Sequence, residues 1–311
     1  MKNQNNKKVL VFTATYNEKD NIEKLISSIH FALEYADLLV IDDNSPDGTG
    51  KLLDLLAKKK KYLKALHRPG KLGLGTAHQM AMLYAIKNNY DHLVTMDADH
   101  SHDPADLPAL VKPLDHFDFV IGSRYMPGGK CDYEGYRKII STTANLLARI
   151  LLNIKLHEFT TSFRAINVAK LEKINFIKIQ NHGYSFFMES LYRFHQTGFR
   201  MTEIPITFKD KNSGVSKIPR FEIFRGVLKL MQLTISRILH RKMPPPPALE
   251  TKPCHKCHSP YTIKAYSPIT RRNWKNILPY FLQYINGLLK EDQNYIFCLQ
   301  CGYSLRAKKK V

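Results

Sequence analysis

The sequence predicts an α/β protein: a mainly parallel sheet with helices on both faces, followed by a small cysteine-bearing C-terminal domain. Three observations carry this expectation. Short apolar runs alternate with helix-period segments through the first two-thirds of the chain. A proline-rich stretch, Met243–Pro253, then interrupts the pattern. Beyond it, four of the five cysteines form two Cys-x-x-Cys pairs.

KKVLVFTATY reads as a buried strand. Asp20–Tyr35 sets Ile22, Leu25, Ile26, Ile29 and Leu33 at helical spacing. DLLVIDD is the next strand, closed by the turn NSPDG. Gly50–Tyr62 and Thr76–Asn88 read as helices, and HLVTMDAD and FDFVIGS as strands. Between those strands, Pro104–Leu114 is a short helix with proline in its first turn. Ile139–Leu156 and Phe221–Leu239 are helix-like, apolar on one side and basic on the other. Such a face suits either a protein core or a membrane interface. The expected division is 1–242 for the α/β domain, 243–253 for the linker and 254–311 for the tail.

With 44% hydrophobic residues and ordinary Gly and Pro numbers, the chain is neither wholly disordered, collagen-like nor coiled coil. Lys+Arg 47 against Asp+Glu 27 gives +20, a field that favours nucleic acid, anionic lipid or phosphorylated small molecules. No nucleic-acid-reading signature accompanies the charge. The opening MKNQNNKKVLVFTATYNE does not read as a secretory signal. The most apolar stretch, Phe221–Leu239, is broken by Arg225, Lys229 and Arg237, so no transmembrane helix is expected.

Three strands end in polar clusters: Tyr16-Asn17-Glu18, Asp42-Asp43-Asn44 and Asp97-Ala98-Asp99. In open α/β sheets, ligands bind beyond the carboxyl ends of the strands, so three clusters in series outline one crevice. As turn formers alone, Asp and Asn account for one such cluster better than for three. Asp97 and Asp99, at i and i+2, point the same way from a regular strand. Two oxygen ligands at a strand end suit Mg²⁺ or Mn²⁺ shared with substrate phosphates.

The ordered series Thr15-Tyr16-Asn17-Glu18, Asp42 to Thr49, Leu72 to Ala77, Asp97 to Pro104 and Gly122-Ser123-Arg124-Tyr125 resembles family two glycosyltransferases of the GT-A fold. Within them it is most similar to dolichyl-phosphate (polyprenyl-phosphate) mannosyltransferases. The resemblance continues through Arg137 to Ser141, Thr161 to Arg164, Gly183 to Glu189, Ile204 to Asp210 and Gly214 to Lys217. It implies donor contacts at Ala14, Tyr16, Glu18, Ile41, Asp43, Asp97, Ala98, Lys211 and Lys217. It implies a metal at Asp97 and Asp99, with Ser101 at a third contact, and an acceptor phosphate at Arg124, Arg137 and Ser141. Asp99, Arg124 and Arg137 are the implied catalytic set. The sequence departs from the family at Ala14, where proline is usual, at Lys211 for arginine, at Val215 for an acidic residue and at Glu158 for aspartate.

The implied reaction is inverting transfer of mannose from GDP-mannose to a polyprenyl (dolichyl) phosphate, by a peripheral protein on the cytoplasmic face of a membrane. Another nucleotide sugar such as UDP-glucose, or another acceptor, is the enzymatic alternative. A non-catalytic lipid- or nucleic-acid-binding module is the other. In the tail, Cys254, Cys257, Cys298 and Cys301 have the makings of a four-cysteine, zinc-ribbon-like site for structural Zn²⁺, against disulfides or unrelated thiols. Residues 258–297 exceed a ribbon's usual gap, so an inserted helix is expected, with Trp274–Leu289 the candidate. From Ala248 onward, eleven Lys/Arg face three Asp/Glu, so the tail carries eight of the twenty net charges.

Overall fold

The computed structural model of the chain describes residues 7–171, 174, 185–210, 220–239, 262–265, 295–298 and 304–306. Side-chain alternation along the strands sets the layers. In β1 (Val9–Thr15), Val9 and Val11 join one apolar cluster while Leu10 and Phe12 join another. In β2 (Asp37–Asp42), Leu38 and Val40 face the first cluster, Leu39 and Ile41 the second. A strand with period-two side chains and apolar residues at every step must be covered on both faces.

The covers come from amphipathic helices. One face is closed by α1 (Lys19–Ala32), α2 (Thr49–Lys59) and the short α4 (Leu107–Val111), through residues such as Ile26, Leu53 and Leu110. The other is closed by α3 (Leu74–Lys87), α5 (Gly135–Leu152), α7 (Ser185–Gln196) and α8 (Arg220–Ile238). A short α6 (Val168–Leu171) adds to this side.

The remaining strands of the main sheet are β3 (Leu63–His67), β4 (His92–Asp97), β5 (Phe119–Ser123), β7 (Arg164–Asn167) and β8 (Met201–Pro205). Their order is β3-β2-β1-β4-β7-β5-β8, and only β7 runs against its neighbours. The chain thus steps from β1 to one side through β2 and β3, then to the other through β4. The crevice at such a reversal is where open sheets hold ligands. A small parallel pair, β6 (Lys130–Cys131) with β9 (Thr207–Phe208), sits apart from the main sheet.

The expected mainly parallel sheet with helices on both faces is present. Three strands of that sheet were not anticipated: β3, β7 and β8. β3 is a sheet-edge strand whose Lys64 and His67 dilute its apolar signal. The expected helix Pro104–Leu114 is instead two 3-10 turns flanking α4, because Pro108 and Pro113 cannot donate the backbone bonds of one continuous helix. The two basic amphipathic helices form four and one residues earlier than expected, as α5 and α8.

In the tail, β10 (Thr262–Ala265), β11 (Tyr295–Cys298) and β12 (Ser304–Arg306) form an antiparallel sheet, with Cys298 opposite Thr262. Cys254, Cys257, Cys301, the linker 243–253 and the expected helix Trp274–Leu289 lie outside the described residues, as do Lys211 and Lys217.

Candidate active site

The three polar clusters converge as the sheet requires. Ala14 at the end of β1 is in register with Ile41 on one side and Asp97 on the other. Three expected donor contacts therefore form one row across adjacent strands. Beyond that row the chain turns sharply. Asn17, Asn44 and His100 all have positive φ, one in each loop leaving β1, β2 and β4. Non-glycine residues in this region are uncommon and gather where a fold fixes a special loop shape.

Glu18 is buried at the start of α1, where its backbone N–H donates to Thr49 Oγ1 (3.1 Å) and its carboxylate accepts from Asn21 (2.9 Å). Tyr16 lies under the Lys71 ammonium, 3.6 Å from the ring centroid. Asp43 is held by Arg68, whose Nε and Nη2 donate one bond to each carboxylate oxygen. Arg68 is buried and braced by Thr76 Oγ1 (2.7 Å) and the Gly73 carbonyl (3.3 Å). Burial still outweighs this pairing and raises the Asp43 carboxyl above its ordinary range. Neither Arg68 nor Lys71 was singled out in the sequence. Their signal was a lone Arg and Lys between β3 and the Gly-rich turn before α3.

Asp97 keeps 36% of its side chain exposed at the crevice, yet its carboxyl is pushed up to about 6. Burial among surrounding atoms is the main cause and the Asp99 charge adds to it. Asp99 accepts a bond from the Ser101 N–H (3.1 Å). The Ser101 hydroxyl is buried and has no hydrogen-bond partner among the described residues. Two neighbouring carboxylates with an unpartnered buried oxygen fit the donor set of a hard divalent cation. Among the described residues no group of three His, Cys, Asp or Glu could hold a metal alone.

His102 is not a ligand in waiting. It is buried, stacked on Phe163 at 4.9 Å, and its Nε2 meets Thr161 Oγ1 at 3.0 Å. Burial and the Arg124 charge pull its pKa down to about 3, so the ring is neutral. His78 is likewise a core histidine, packed on Phe12, Phe186 and Phe187.

The expected acceptor residues gather at the end of β5 and the start of α5. Arg124 is buried, and its Nε and Nη2 donate to Glu158 at 2.8 and 2.9 Å, with Nη2 also reaching Thr160 Oγ1. Burial opposes its charge, but Glu158 outweighs that and holds the proton more firmly than usual. Glu158 thus has a structural role: it aims Arg124. The loop that presents Glu158 is fixed by buried Arg164, which donates to the Phe159 and Thr161 carbonyls. Arg137 pairs with Asp210 at 2.7 Å, and Ser141 Oγ accepts from the Tyr125 hydroxyl at 2.7 Å. Glu189 is buried and joins Lys229 of α8 (3.0 Å) and Arg193 of α7 (2.7 Å).

A sheet of this order, with helices on both faces, is a fold of the GT-A type. Residues 10–175 match the sequence profile described as Glycosyl transferase family 2, and the chain belongs to that family. Polyprenol monophosphomannose synthase of Mycolicibacterium smegmatis is 37% identical over 237 residues, covering 75% of this chain and 89% of that protein. Undecaprenyl-phosphate mannosyltransferase of Micrococcus luteus is 38% identical over 212 residues, covering 68% and 87%. Among solved structures, glucosyl-3-phosphoglycerate synthase from Mycobacterium tuberculosis, in complex with Mn²⁺, UDP and glucosyl-3-phosphoglycerate, shares the fold. Its TM-score is 0.53 at 20% identity, over 75% of this chain and 80% of that one.

Proposed function

We propose that the protein is an inverting polyprenyl-phosphate mannosyltransferase that takes mannose from GDP-mannose. The observation that carries this reading is the juxtaposition of two opposite devices. Asp97 and Asp99 would form a cation site for a diphosphate, while Arg124, close enough for its charge to act on Asp97, and Arg137 would hold a second anion. The two mannosyltransferase relatives, named for polyprenol and undecaprenyl phosphate, support the same acceptor.

Asp97, Asp99 and Ser101 would hold Mg²⁺ or Mn²⁺, which when bound neutralises charge growing on the departing diphosphate. The acceptor monophosphate has a second pKa near ~6, so much of it is already a dianion at neutral pH. A protein base is then unnecessary, and none is assigned. Arg124 and Arg137 position the dianion for in-line attack, which inverts the anomeric centre. Asp43, held in plane by Arg68, supports a guanine donor. A carboxylate presents two acceptors, which match the two neighbouring N–H donors on that base's edge. Lys211 and Lys217 complete the donor phosphate contacts in this reading.

Access to a lipid-borne acceptor requires a membrane-facing surface. Tyr136, Ile139 and Ile150 on α5 and Met231, Ile235 and Ile238 on α8 are each more than half exposed, and the two helices pack together. Lys138 and Arg149 stand on the same α5 that carries Arg137 and Ser141. Apolar residues beside basic ones on one helix suit anionic lipid headgroups. Among the described residues no helix is long and apolar enough to cross a membrane. We propose peripheral attachment through α5 and α8 at the cytoplasmic face. For the tail we propose one structural Zn²⁺ held by Cys254, Cys257, Cys298 and Cys301, checked by metal content falling when Cys298 and Cys301 become serine.

A donor panel tests the function. Purified protein with Mn²⁺ or Mg²⁺, a short-chain polyprenyl phosphate and labelled GDP-mannose, UDP-glucose or UDP-mannose should yield organic-soluble label from GDP-mannose. Label transferred only from a uridine donor would reject the guanine reading.

A further inference from the structure

We infer that Tyr133 is the positioning residue that sets Arg124 and Arg137 at a fixed spacing for one phosphate; this rests on the acceptor reading above. Arg124 follows the end of β5, Arg137 lies on α5, and the two carry like charges. The ring of Tyr133 touches both. Its centroid lies 4.5 Å from the Arg137 guanidinium carbon and 5.8 Å from that of Arg124. Aromatic rings are negative on their faces, so one ring near two guanidinium groups attracts both and offsets their repulsion.

The ring is itself anchored. Tyr133 meets Phe208 edge to face at 5.2 Å, and Phe208 lies 4.7 Å from the Arg124 guanidinium carbon. The backbone fixes that pairing. β6 and β9 place Cys131 opposite Phe208, and the Asp132 N–H donates to the Phe208 carbonyl at 3.1 Å. Asp210, two residues beyond Phe208, accepts a hydrogen bond from Arg137 at 2.7 Å. The small β6-β9 pair is therefore a platform whose side chains orient both arginines before any phosphate arrives. Ordering them during folding removes a cost that binding would otherwise bear.

The ring, not the hydroxyl, makes the clamp. Tyr133→Leu should raise the KM for a short-chain polyprenyl phosphate about ten-fold, with the donor KM and kcat within about two-fold of the parent. Tyr133→Phe and Tyr133→Trp should restore the acceptor affinity. A calorimetric titration with inorganic phosphate, in the absence of donor, should show the same order of affinities. Thermal melting of each variant verifies folding, and the aromatic variants keep the test valid if the leucine variant melts early. Equal loss in Tyr133→Phe overturns the clamp, because the hydroxyl would then contact substrate. So does a Tyr133→Leu effect on donor KM as large as that on the acceptor. Protein that transfers no mannose yet binds phosphate in a Tyr133-dependent way sinks the mannosyltransferase reading and upholds the clamp. Parent protein that binds neither phosphate sinks the clamp.

Discussion

Arg68 holds both carboxylate oxygens of Asp43 from inside the protein, just beyond the end of β2. The arginine side chain is fully buried and Asp43 keeps only 12% exposure, so neither group can be rehydrated if the other is lost. Arg68→Met should cost about 3–5 kcal/mol, the usual result of leaving one member of a buried pair uncompensated. Chemical denaturation measures that loss, and binding of GDP should weaken in parallel because Asp43 loses its orientation.

Asp99 is half-buried and belongs to neither apolar cluster. Asp99→Asn should fold with an unchanged melting temperature yet lose turnover by at least ~10², as removal of a charge-stabilising contact does. Electron paramagnetic resonance of added Mn²⁺ should show weaker binding in the variant.

Asp97 should give the proposed cation site a pH dependence. Its carboxyl titrates at about 6, and a cation competes with that proton. Mn²⁺ affinity should be flat above about pH 7 and fall about ten-fold per unit below about 6. Isothermal titration at several pH values reads the slope, and Asp97→Asn should abolish both the binding and its pH dependence.

His78 and His102 should make the fold acid-sensitive. Both are buried, and burial first of all holds each to about 3 against the ordinary 6.5. As pH falls through 6.5 the unfolded chain takes up these protons and the folded chain does not. Stability is therefore fully present above about pH 7 and declines between about 6.5 and 3, by roughly 2–3 kcal/mol per histidine at about pH 4. Asp97 acts in the opposite sense, since its raised folded pKa relieves strain as pH drops through about 6. Two histidines outweigh one aspartate, so the net trend is downward. Urea unfolding from mildly acidic to mildly alkaline pH measures it, and His78→Phe, which keeps the aromatic packing, should flatten the curve.

Much of this was legible in the chain because the signals are local. Apolar strands ending in Tyr-Asn-Glu, Asp-Asp-Asn and Asp-Ala-Asp outlined the crevice, and parallel pairing of β1, β2 and β4 brings their ends together. What the sequence hid depends on distant pairing. β7 crosses between β4 and β5 against their direction, and a four-residue strand has no periodicity to read. Arg68 and Glu158 act on Asp43 and Arg124, 25 and 34 residues away, so neither spacing nor composition marked them. Glu158 was noticed as a departure from the family's aspartate, and the structure shows what it holds. Tyr133 carried no motif at all; its place between two arginines exists only once β6 pairs with β9.

In the proposed reaction two anions meet across the crevice, one released with a cation's help and one held by arginines. The most direct measurement of that meeting is GDP release from GDP-mannose with Mn²⁺, with and without a short-chain polyprenyl phosphate. GDP release should depend on that acceptor and on Mn²⁺, with mannose recovered in the organic phase as a phosphodiester, and Asp99→Asn should release none. Release at the same rate without acceptor, or unchanged in Asp99→Asn, would contradict it.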